Sequence, residues 1–230
     1  MIPEPGRTGI LGGTFDPVHD GHIAAAEAAC AALALDRVLL IPSHEPPHRP
    51  SQPRASAFHR FAMVSLAVGA HPRLVASDVE LRLPGPSFTA ITLRRLLDDG
   101  YQASQLFFIT GTDALAEIAA WHDYPAVLDL AHFVVISRPG QPFGMLRERL
   151  PALVPRMRTV PTDGADAGDV ASCSIFLVNA ATPDVSSTEI RERAARGESL
   201  AGLVASDVER HIRKHRLYGS RRTPSGSGLA

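Results

Sequence analysis

The chain has 230 residues, of which 45% are hydrophobic and 20% are charged, enough to build one domain with a substantial apolar core. A formal net charge of -1 gives no overall attraction to nucleic acid or to an anionic membrane, so neither is expected as a partner. No segment approaches the roughly twenty apolar residues of a membrane span, and the two cysteines lack the spacing of a disulfide framework or a zinc site. We therefore expect a cytoplasmic protein with one folded domain at residues 1–219 and a disordered tail at 220–230.

Short apolar runs alternate with helical patterns from the start of the chain. The first strand is predicted at residues 9–11, the first helix in the alanine-rich stretch 23–35, and the second strand at 37–41. This order is a βαβ unit, which implies parallel strands. A proline-rich loop at 43–53 precedes a second helix. The face of that helix predicted to point inward carries Phe58, Phe61, Ala62 and Leu66.

The middle of the chain contains further short strands and a capped helix. Residues 74–75 and 79–83 are predicted as extended pieces. Ser87 is predicted to cap a helix that ends at Gly100. The continuous apolar run at 106–110 is typical of a central strand buried on both faces.

The last third of the chain continues the alternation. Residues 132–137 are predicted as a buried strand, 140–168 as a short helix followed by a variable loop, and 174–178 as the last strand. Helices are predicted from Ser186 and at 206–216. The pattern predicts an α/β fold: a single Rossmann-like doubly wound parallel sheet with a small C-terminal helical portion and ligand sites at the carboxyl ends of the strands.

The segment between the first strand and the first helix has the composition of a phosphate site. It reads GGTFDPVHDGH at residues 12–22. Its glycines allow a sharp turn close to a ligand, and the positive end of the following helix favours an anion. His19 and His22 are three residues apart, so both are predicted to face one ligand and to donate hydrogen bonds to it. The motif resembles the T/HxGH signature of the nucleotidylyltransferase superfamily, in the version carried by bacterial nicotinate mononucleotide adenylyltransferases.

A second candidate anion site lies near the other end of the chain. Ser186 and Glu189 have the spacing of a capping box, which by itself indicates only a helix start. Ser187, Thr188 and Arg191 add two hydroxyls and a cation to the same helix start. The segment resembles the ISSTxIR element, which in the superfamily binds the phosphates of ATP.

The acceptor varies within the superfamily, and four central segments resemble those of the nicotinate mononucleotide adenylyltransferases. They are the PPHR loop ending at Arg49, PSFT in place of PSYT, GTD in place of GxD, and Trp121 with His122 in place of WY. A strand ending in Arg-Pro-Gly at Arg138 also matches. In that family the tryptophan stacks on the pyridine ring, although a lone tryptophan is more often a core residue.

The resemblance implies direct adenylyl transfer from ATP to nicotinate mononucleotide, with Mg²⁺ bound through ATP and no metal site on the protein itself. His19, His22 and Thr14 would be catalytic, while Asp16 would orient loops or ribose. The residues implied in ATP binding are Gly12, Gly13, Thr14, Phe15, His19, Gly21, His22, Gly111, Asp113, Ser186, Ser187, Thr188 and Arg191. Those implied in binding the acceptor are Ser43, His48, Arg49, Thr89, Trp121, His122 and Arg138.

Three departures from the family pattern leave the fine specificity open. Ser43 replaces a frequent Asn, and Phe88 and His122 each replace a Tyr. Nicotinamide mononucleotide or phosphopantetheine thus remain alternative acceptors. In a different class, the chain could be a non-catalytic nucleotide sensor or use the basic residues at 210–222 on nucleic acid. The sequence does not decide whether the chain self-associates.

Overall fold

The computed structural model describes residues 6–47, 53–137, 143–160 and 172–219. Every strand pairing in its sheet is parallel. The strands are β1 Thr8–Gly13, β2 Arg37–Pro42, β3 Leu74–Ala76, β4 Leu106–Gly111, β5 His132–Ile136, β6 Met157–Val160 and β7 Ile175–Val178. They form one sheet in the order β3-β2-β1-β4-β5-β7-β6.

Helices cover both faces of this sheet. They are α1 Asp20–Leu33, α2 Ala57–Val68, α3 Thr89–Asp98, α4 Thr112–Ala116, α5 Phe143–Arg149, α6 Ser187–Ala195 and α7 Ser206–Lys214. One apolar cluster joins α1, α2, α6 and α7 to the sheet, and a second joins α3, α4 and α5 to its other face. The predicted doubly wound parallel α/β fold is confirmed. In the ranges that the structure describes, no helix has the length and apolar character needed to cross a membrane.

Parallel pairing aligns the strand ends that hold the sequence motifs. Gly13 at the end of β1 pairs with Pro42 at the end of β2, and Gly111 at the end of β4 pairs with Ile136. Because β1 lies between β2 and β4, the loops that follow these three strands meet at the carboxyl ends of the strands.

The predicted inward face of α2 is wrong. The side of α2 that packs on the sheet carries Arg60, Met63, Val64 and Ala67, and all four are buried. Apolar residues occur all around this helix, so their spacing does not decide which face is buried. The outer side carries Phe58, Phe61, Ala62 and Leu66, and Phe58 is 85% exposed.

Two local predictions around α3 are also wrong. Residues 79–83 are not extended, because Glu80–Arg82 form a 3-10 turn that places the Glu80 carboxylate against Thr92 Oγ1 at 2.6 Å. Ser87 does not cap α3; Phe88 is the N-cap residue, and Ser87 Oγ instead accepts the backbone N–H of His44 at 2.8 Å. A polar contact between distant segments fixes the backbone in each case.

Within the predicted helix-and-loop segment at 140–168, the described residues 143–160 contain more regular structure than expected. After α5, a 3-10 helix at Pro151–Arg156 leads into β6, which was missed. This strand lies at the sheet edge, and its two central residues are exposed. A short, half-exposed edge strand lacks the continuous apolar run by which the buried strands were recognised.

His132 links sheet stability to pH. This side chain on β5 is 3% exposed, and its Nδ1 accepts the backbone N–H of Ser174 at 3.0 Å. Burial is the main cause that lowers the pKa of His132 from the ordinary value of 6.5. Below that pH the unfolded chain binds more protons than the folded chain, so stability decreases as the pH falls.

We expect His132→Asn to destabilise the fold while reducing the pH dependence of the unfolding free energy between roughly pH 5 and 7. The asparagine oxygen can still accept the Ser174 amide, but it does not titrate. Urea unfolding at several pH values measures both effects. Val134→Ala, on the same strand, removes packing without removing a titrating group and should keep the wild-type dependence. A His132→Asn variant with the full wild-type dependence would contradict this assignment.

Candidate functional site

The turn after β1 is built differently from the prediction. Gly12 and Gly13 lie within the strand, and the turn itself is made by Phe15, which has a positive φ of 49°, and by a cis bond between Asp16 and Pro17. A Cβ on Gly13 would lie 3.1 Å from the Phe15 ring, so glycine provides the space into which that ring folds back. Phe15 is 2% exposed, so the phenyl ring supports the site from beneath.

The two histidines of the motif lie against each other at the start of α1. Their ring centroids are 3.7 Å apart, and the rings of Phe15 and His22 form a T-shaped contact with centroids 4.9 Å apart. The backbone N–H of His19, the N-cap residue, donates to Nδ1 of His22 at 3.2 Å. Since Nδ1 accepts this bond, the neutral ring carries its proton on Nε2, which makes that atom a hydrogen-bond donor.

Gly21 is required by close packing at the same helix start. A Cβ at this position would lie 3.1 Å from Nδ1 of His19 and 3.2 Å from the carbonyl oxygen of Pro183. Pro183 belongs to the segment that leads into α6. Glycine therefore lets the second predicted anion site approach the first.

The start of α6 is attached directly to the motif loop. Ser187 Oγ donates to the carbonyl of Pro17 at 2.9 Å. Arg191 donates to the carbonyl of Asp16 at 2.8 Å and to Thr188 Oγ1 at 2.9 Å. The two motifs, more than 160 residues apart in sequence, thus form one continuous surface.

One of the two hydrogen bonds of the predicted capping box forms at the start of α6. Ser186 Oγ accepts the backbone N–H of Glu189 at 3.1 Å, as the spacing predicted. The Glu189 carboxylate forms an ion pair with Arg193 one turn further along, at 3.2 Å.

The Asp16 carboxylate is the centre of the hydrogen bonds beneath the site. It is 2% exposed and accepts the backbone N–H groups of Arg54 at 2.8 Å and Ala55 at 3.1 Å. The hydroxyl of Tyr218 donates to it at 2.9 Å. Burial, reinforced by Asp16, raises the pKa of Tyr218 far above its usual range, so this hydroxyl remains a donor. Asp16 therefore orients loops, as expected from the sequence.

Arg60 is a buried residue of the site that the sequence analysis missed. It is 1% exposed, and its guanidinium donates to the carbonyl of Thr14 at 2.8 Å and to that of His44 at 3.4 Å. These carbonyls belong to the loops that follow β1 and β2. The sequence offered one signal for this role: Arg60 lies on the same face of α2 as Met63, Val64 and Ala67. An arginine on a buried helix face must have hydrogen-bond partners there, because burying an unpaired cation is costly.

A cavity of about 490 Å³ lies beside the motif loops. Trp121 is half-buried: it lines the cavity and also packs edge-on against Phe108, with ring centroids 5.9 Å apart. It is thus both a core residue and a residue of the cavity wall. The lining residues are Pro47, Ser87, Phe88, Thr89, Ala114, Glu117, Ala120, Trp121 and His122.

The remaining predicted residues have varied positions. Ser43 is buried, and its hydroxyl donates to the carbonyl of Gly13 at 3.0 Å, so it holds two strand ends together. Gly111 ends β4, where a Cβ would contact no atom within 4 Å, and Asp113 is exposed in the first turn of α4. The predicted residues outside the described ranges are His48, Arg49 and Arg138.

The polar groups at the starts of α1 and α6 and in the loop after β1 suit an anion. They are N–H and O–H donors from histidine, serine, threonine and arginine. Within the described ranges, no group of three or more histidine, cysteine, aspartate or glutamate side chains is arranged to hold a metal ion.

Residues 10–193 match the family model described as cytidylyltransferase-like. The chain belongs to this family. It is 40% identical over 212 residues to a protein of Roseiflexus sp. (strain RS-1) named "Probable nicotinate-nucleotide adenylyltransferase", covering 91% of this chain and 96% of the relative. A protein of Desulfatibacillum aliphaticivorans with the same name is 39% identical, covering 92% and 99%. The family resemblance inferred from the motifs is confirmed.

Solved structures support the same fold. The nicotinic acid mononucleotide adenylyltransferase of Plasmodium falciparum, complexed with NaAD, is similar with a TM-score of 0.69. The match covers 93% of this chain and 97% of that one, at 15% sequence identity. At this low identity the likeness establishes the shared fold.

We expect Tyr218→Phe to lower the unfolding free energy by roughly 1.5–3 kcal/mol, because it removes a buried hydrogen bond to a charged carboxylate. Urea unfolding measures the change. Tyr124→Phe is the matched control at a half-buried position and should change stability by less than about 0.5 kcal/mol. Equal effects of the two substitutions would show that the Tyr218 hydroxyl does not stabilise Asp16.

Proposed function

We propose that this chain transfers the adenylyl group of ATP to nicotinate mononucleotide, releasing pyrophosphate and forming nicotinate adenine dinucleotide. The observation that carries the proposal is the direct contact between two helix starts rich in hydrogen-bond donors, those of α1 and α6, beside a cavity lined by Trp121. Helix starts of this kind bind phosphates, and an indole in a cavity wall offers a surface on which a pyridine ring can stack. The names of the relatives agree with this reaction.

The reaction needs positioning rather than a base. An oxygen of the acceptor's 5′-phosphate attacks the α-phosphorus of ATP, a new P–O bond forms, and the bond from the α-phosphorus to the bridging oxygen breaks. Pyrophosphate leaves with the electron pair. The nucleophile is already an anion, so holding the two phosphates in line and neutralising charge supply the rate enhancement.

The residues fall into three groups along the reaction path. His22, with its proton on Nε2, donates to the α-phosphate, where negative charge develops. His19, Thr14 and the backbone of the β1 loop hold the same phosphate. Thr188 and Arg191 at the start of α6 face the β- and γ-phosphates.

Mg²⁺, when bound to the ATP phosphates, would supply further neutralisation of the leaving group. On the acceptor side, Trp121 would stack on the pyridine, while Thr89 at the start of α3 lies in the same cavity wall. We place this reaction in the cytoplasm, because ATP is the adenylyl donor.

The direct test is pyrophosphate release from Mg-ATP by the purified protein. Nicotinate mononucleotide, nicotinamide mononucleotide and 4′-phosphopantetheine are supplied as separate acceptors. We expect the nicotinate nucleotide to give the highest kcat/KM. Turnover of phosphopantetheine alone would overturn the acceptor assignment, and no release with any acceptor would favour a nucleotide sensor.

We expect His22→Asn to reduce kcat by about 10²–10³-fold, the range found for loss of one transition-state donor. An asparagine oxygen can still accept the His19 backbone N–H, so the helix start is retained while the Nε2 donor is lost. His71→Asn, a substitution of the same type at a half-exposed residue paired with Glu27, is the control. A His22→Asn enzyme with near-normal turnover at saturating substrates would contradict the role of His22.

A further inference from the structure

A buried carboxylate, that of Glu80, lies behind the wall of the cavity that Trp121 lines. Glu80 is 7% exposed and is not among the described side chains that form the cavity wall. Its carboxylate accepts the hydroxyl of Thr92, a residue of α3, at 2.6 Å, and it also receives a side-chain hydrogen bond from Ser87. Burying a carboxylate is costly unless its oxygens are hydrogen-bonded, so these two hydroxyls determine where Glu80 can lie.

The hydroxyl of Ser87 links Glu80 to the loop that follows β2. While it donates to Glu80, its oxygen accepts the backbone N–H of His44 at 2.8 Å. The backbone N–H of Ser87 donates in turn to the carbonyl of Glu45 at 2.9 Å. A hydroxyl that donates and accepts at the same time has its orientation fixed by both partners. Glu80 therefore orients the hydroxyl that holds this loop.

Arg60 holds the same part of the loop from its other side. Its guanidinium donates to the carbonyl of His44 at 3.4 Å. Burial raises the pKa of Glu80, whereas the Thr92 and Ser87 hydrogen bonds and the charge of Arg60 act to lower it. The N–H and the carbonyl of His44 are thus both held by one buried network, which contains a carboxylate and a guanidinium.

The two segments that this network joins both reach the cavity. One is the loop that contains His44, and the other is the start of α3, which directly follows Ser87. The contacts that attach α6 to the β1 loop do not involve Glu80. Loss of the Glu80 carboxylate should therefore alter the cavity wall while the helix starts of α1 and α6 keep their places. The cavity-lining residues of the two joined segments are Pro47, Phe88 and Thr89.

We propose that Glu80 is a positioning residue for the acceptor: acting through Ser87, it holds the loop after β2 against the start of α3, so that the cavity has the shape in which the acceptor binds. This inference rests on the proposed function, since it assumes that nicotinate mononucleotide occupies the cavity. It assigns Glu80 no contact with either substrate. Loss of the carboxylate consequently weakens binding of the acceptor and leaves binding of ATP unchanged.

Isothermal titration calorimetry measures the binding of the two substrates separately. Mg²⁺ with α,β-methylene ATP is titrated into the protein alone, and nicotinate mononucleotide is titrated into the protein saturated with that analogue. Glu80→Gln keeps the size of the side chain, but one of its two acceptor oxygens becomes a donor. We expect the Kd of nicotinate mononucleotide to rise by about tenfold, as for loss of a buried hydrogen bond to a charged group, and that of the analogue to change by less than about twofold.

A double-mutant cycle with Ser87→Ala tests whether Glu80 acts through the Ser87 hydroxyl. Ser87→Ala removes that hydroxyl and should also raise the Kd of nicotinate mononucleotide. In the Ser87→Ala protein, Glu80→Gln should change this Kd by less than a further factor of about two, because residues that act as one unit are not additive. Effects that multiply in the double variant would mean that Glu80 does not act through Ser87, and would overturn the proposal.

Leu96→Ala is the control for a general loss of stability. Leu96 is buried on α3 in the apolar cluster on that face of the sheet, and it has no polar side-chain atom to contribute to the network. Its truncation should lower the midpoint of urea unfolding while both Kd values stay within about twofold of those of the wild type. If Leu96→Ala weakened nicotinate mononucleotide as much as Glu80→Gln, the effect would follow from lost stability alone and the proposal would be wrong.

A Glu80→Gln protein with the wild-type Kd for nicotinate mononucleotide would overturn the proposal, as would an equal loss of affinity for both ligands. If nicotinate mononucleotide does not bind to the wild-type protein, both this inference and the proposed function fail. If it binds and no pyrophosphate is released from Mg-ATP, the proposed function fails while the Kd values still decide the role of Glu80.

Discussion

The buried carboxylate of Asp16 is the constraint on which the site depends. It accepts two backbone N–H groups from residues 54 and 55 and the hydroxyl of Tyr218, while the neighbouring carbonyls of Asp16 and Pro17 accept Arg191 and Ser187. An ionised carboxylate away from water is tolerated only when its oxygens are hydrogen-bonded. The β1 loop therefore cannot form its native shape unless the chain that follows β2, the start of α6 and the C-terminal turn are all in place.

These contacts also hold the hydrogen-bond donors of the β1 loop in place. Arg60 holds the β1 and β2 loops from below, and the His19 backbone N–H fixes which nitrogen of His22 carries the proton. In the proposed reaction, donors held in this way would need little reorganisation as charge develops on the α-phosphate. Ser43 and Ser187, which were expected to bind ligand, each donate a hydroxyl hydrogen to a loop carbonyl and so also hold the loops.

The sequence predicted the parts of the fold that local patterns control. The continuous apolar runs located β1, β2, β4, β5 and β7, and the order of elements gave a doubly wound parallel sheet. The features that were missed depend on tertiary contacts. Arg60 is buried on the face of α2 opposite to the predicted inward face. Ser87 accepts the backbone N–H of His44 instead of capping α3, and β6 is a short strand at the edge of the sheet. Within the site, the motifs predicted two anion-binding helix starts, and that role stays a prediction. They did not predict that Arg191 contacts the carbonyl of Asp16, 175 residues away in sequence.

The most direct test of this account is a crystal structure of the protein with α,β-methylene ATP and nicotinate mononucleotide bound together. We expect an α-phosphate oxygen to accept a hydrogen bond from Nε2 of His22, the β- and γ-phosphates to lie at the start of α6, and the pyridine ring to occupy the cavity beside Trp121. Asp16 should keep its contacts with Tyr218 and the amides of residues 54 and 55. Phosphates bound away from both helix starts, or a pyridine ring outside that cavity, would contradict it.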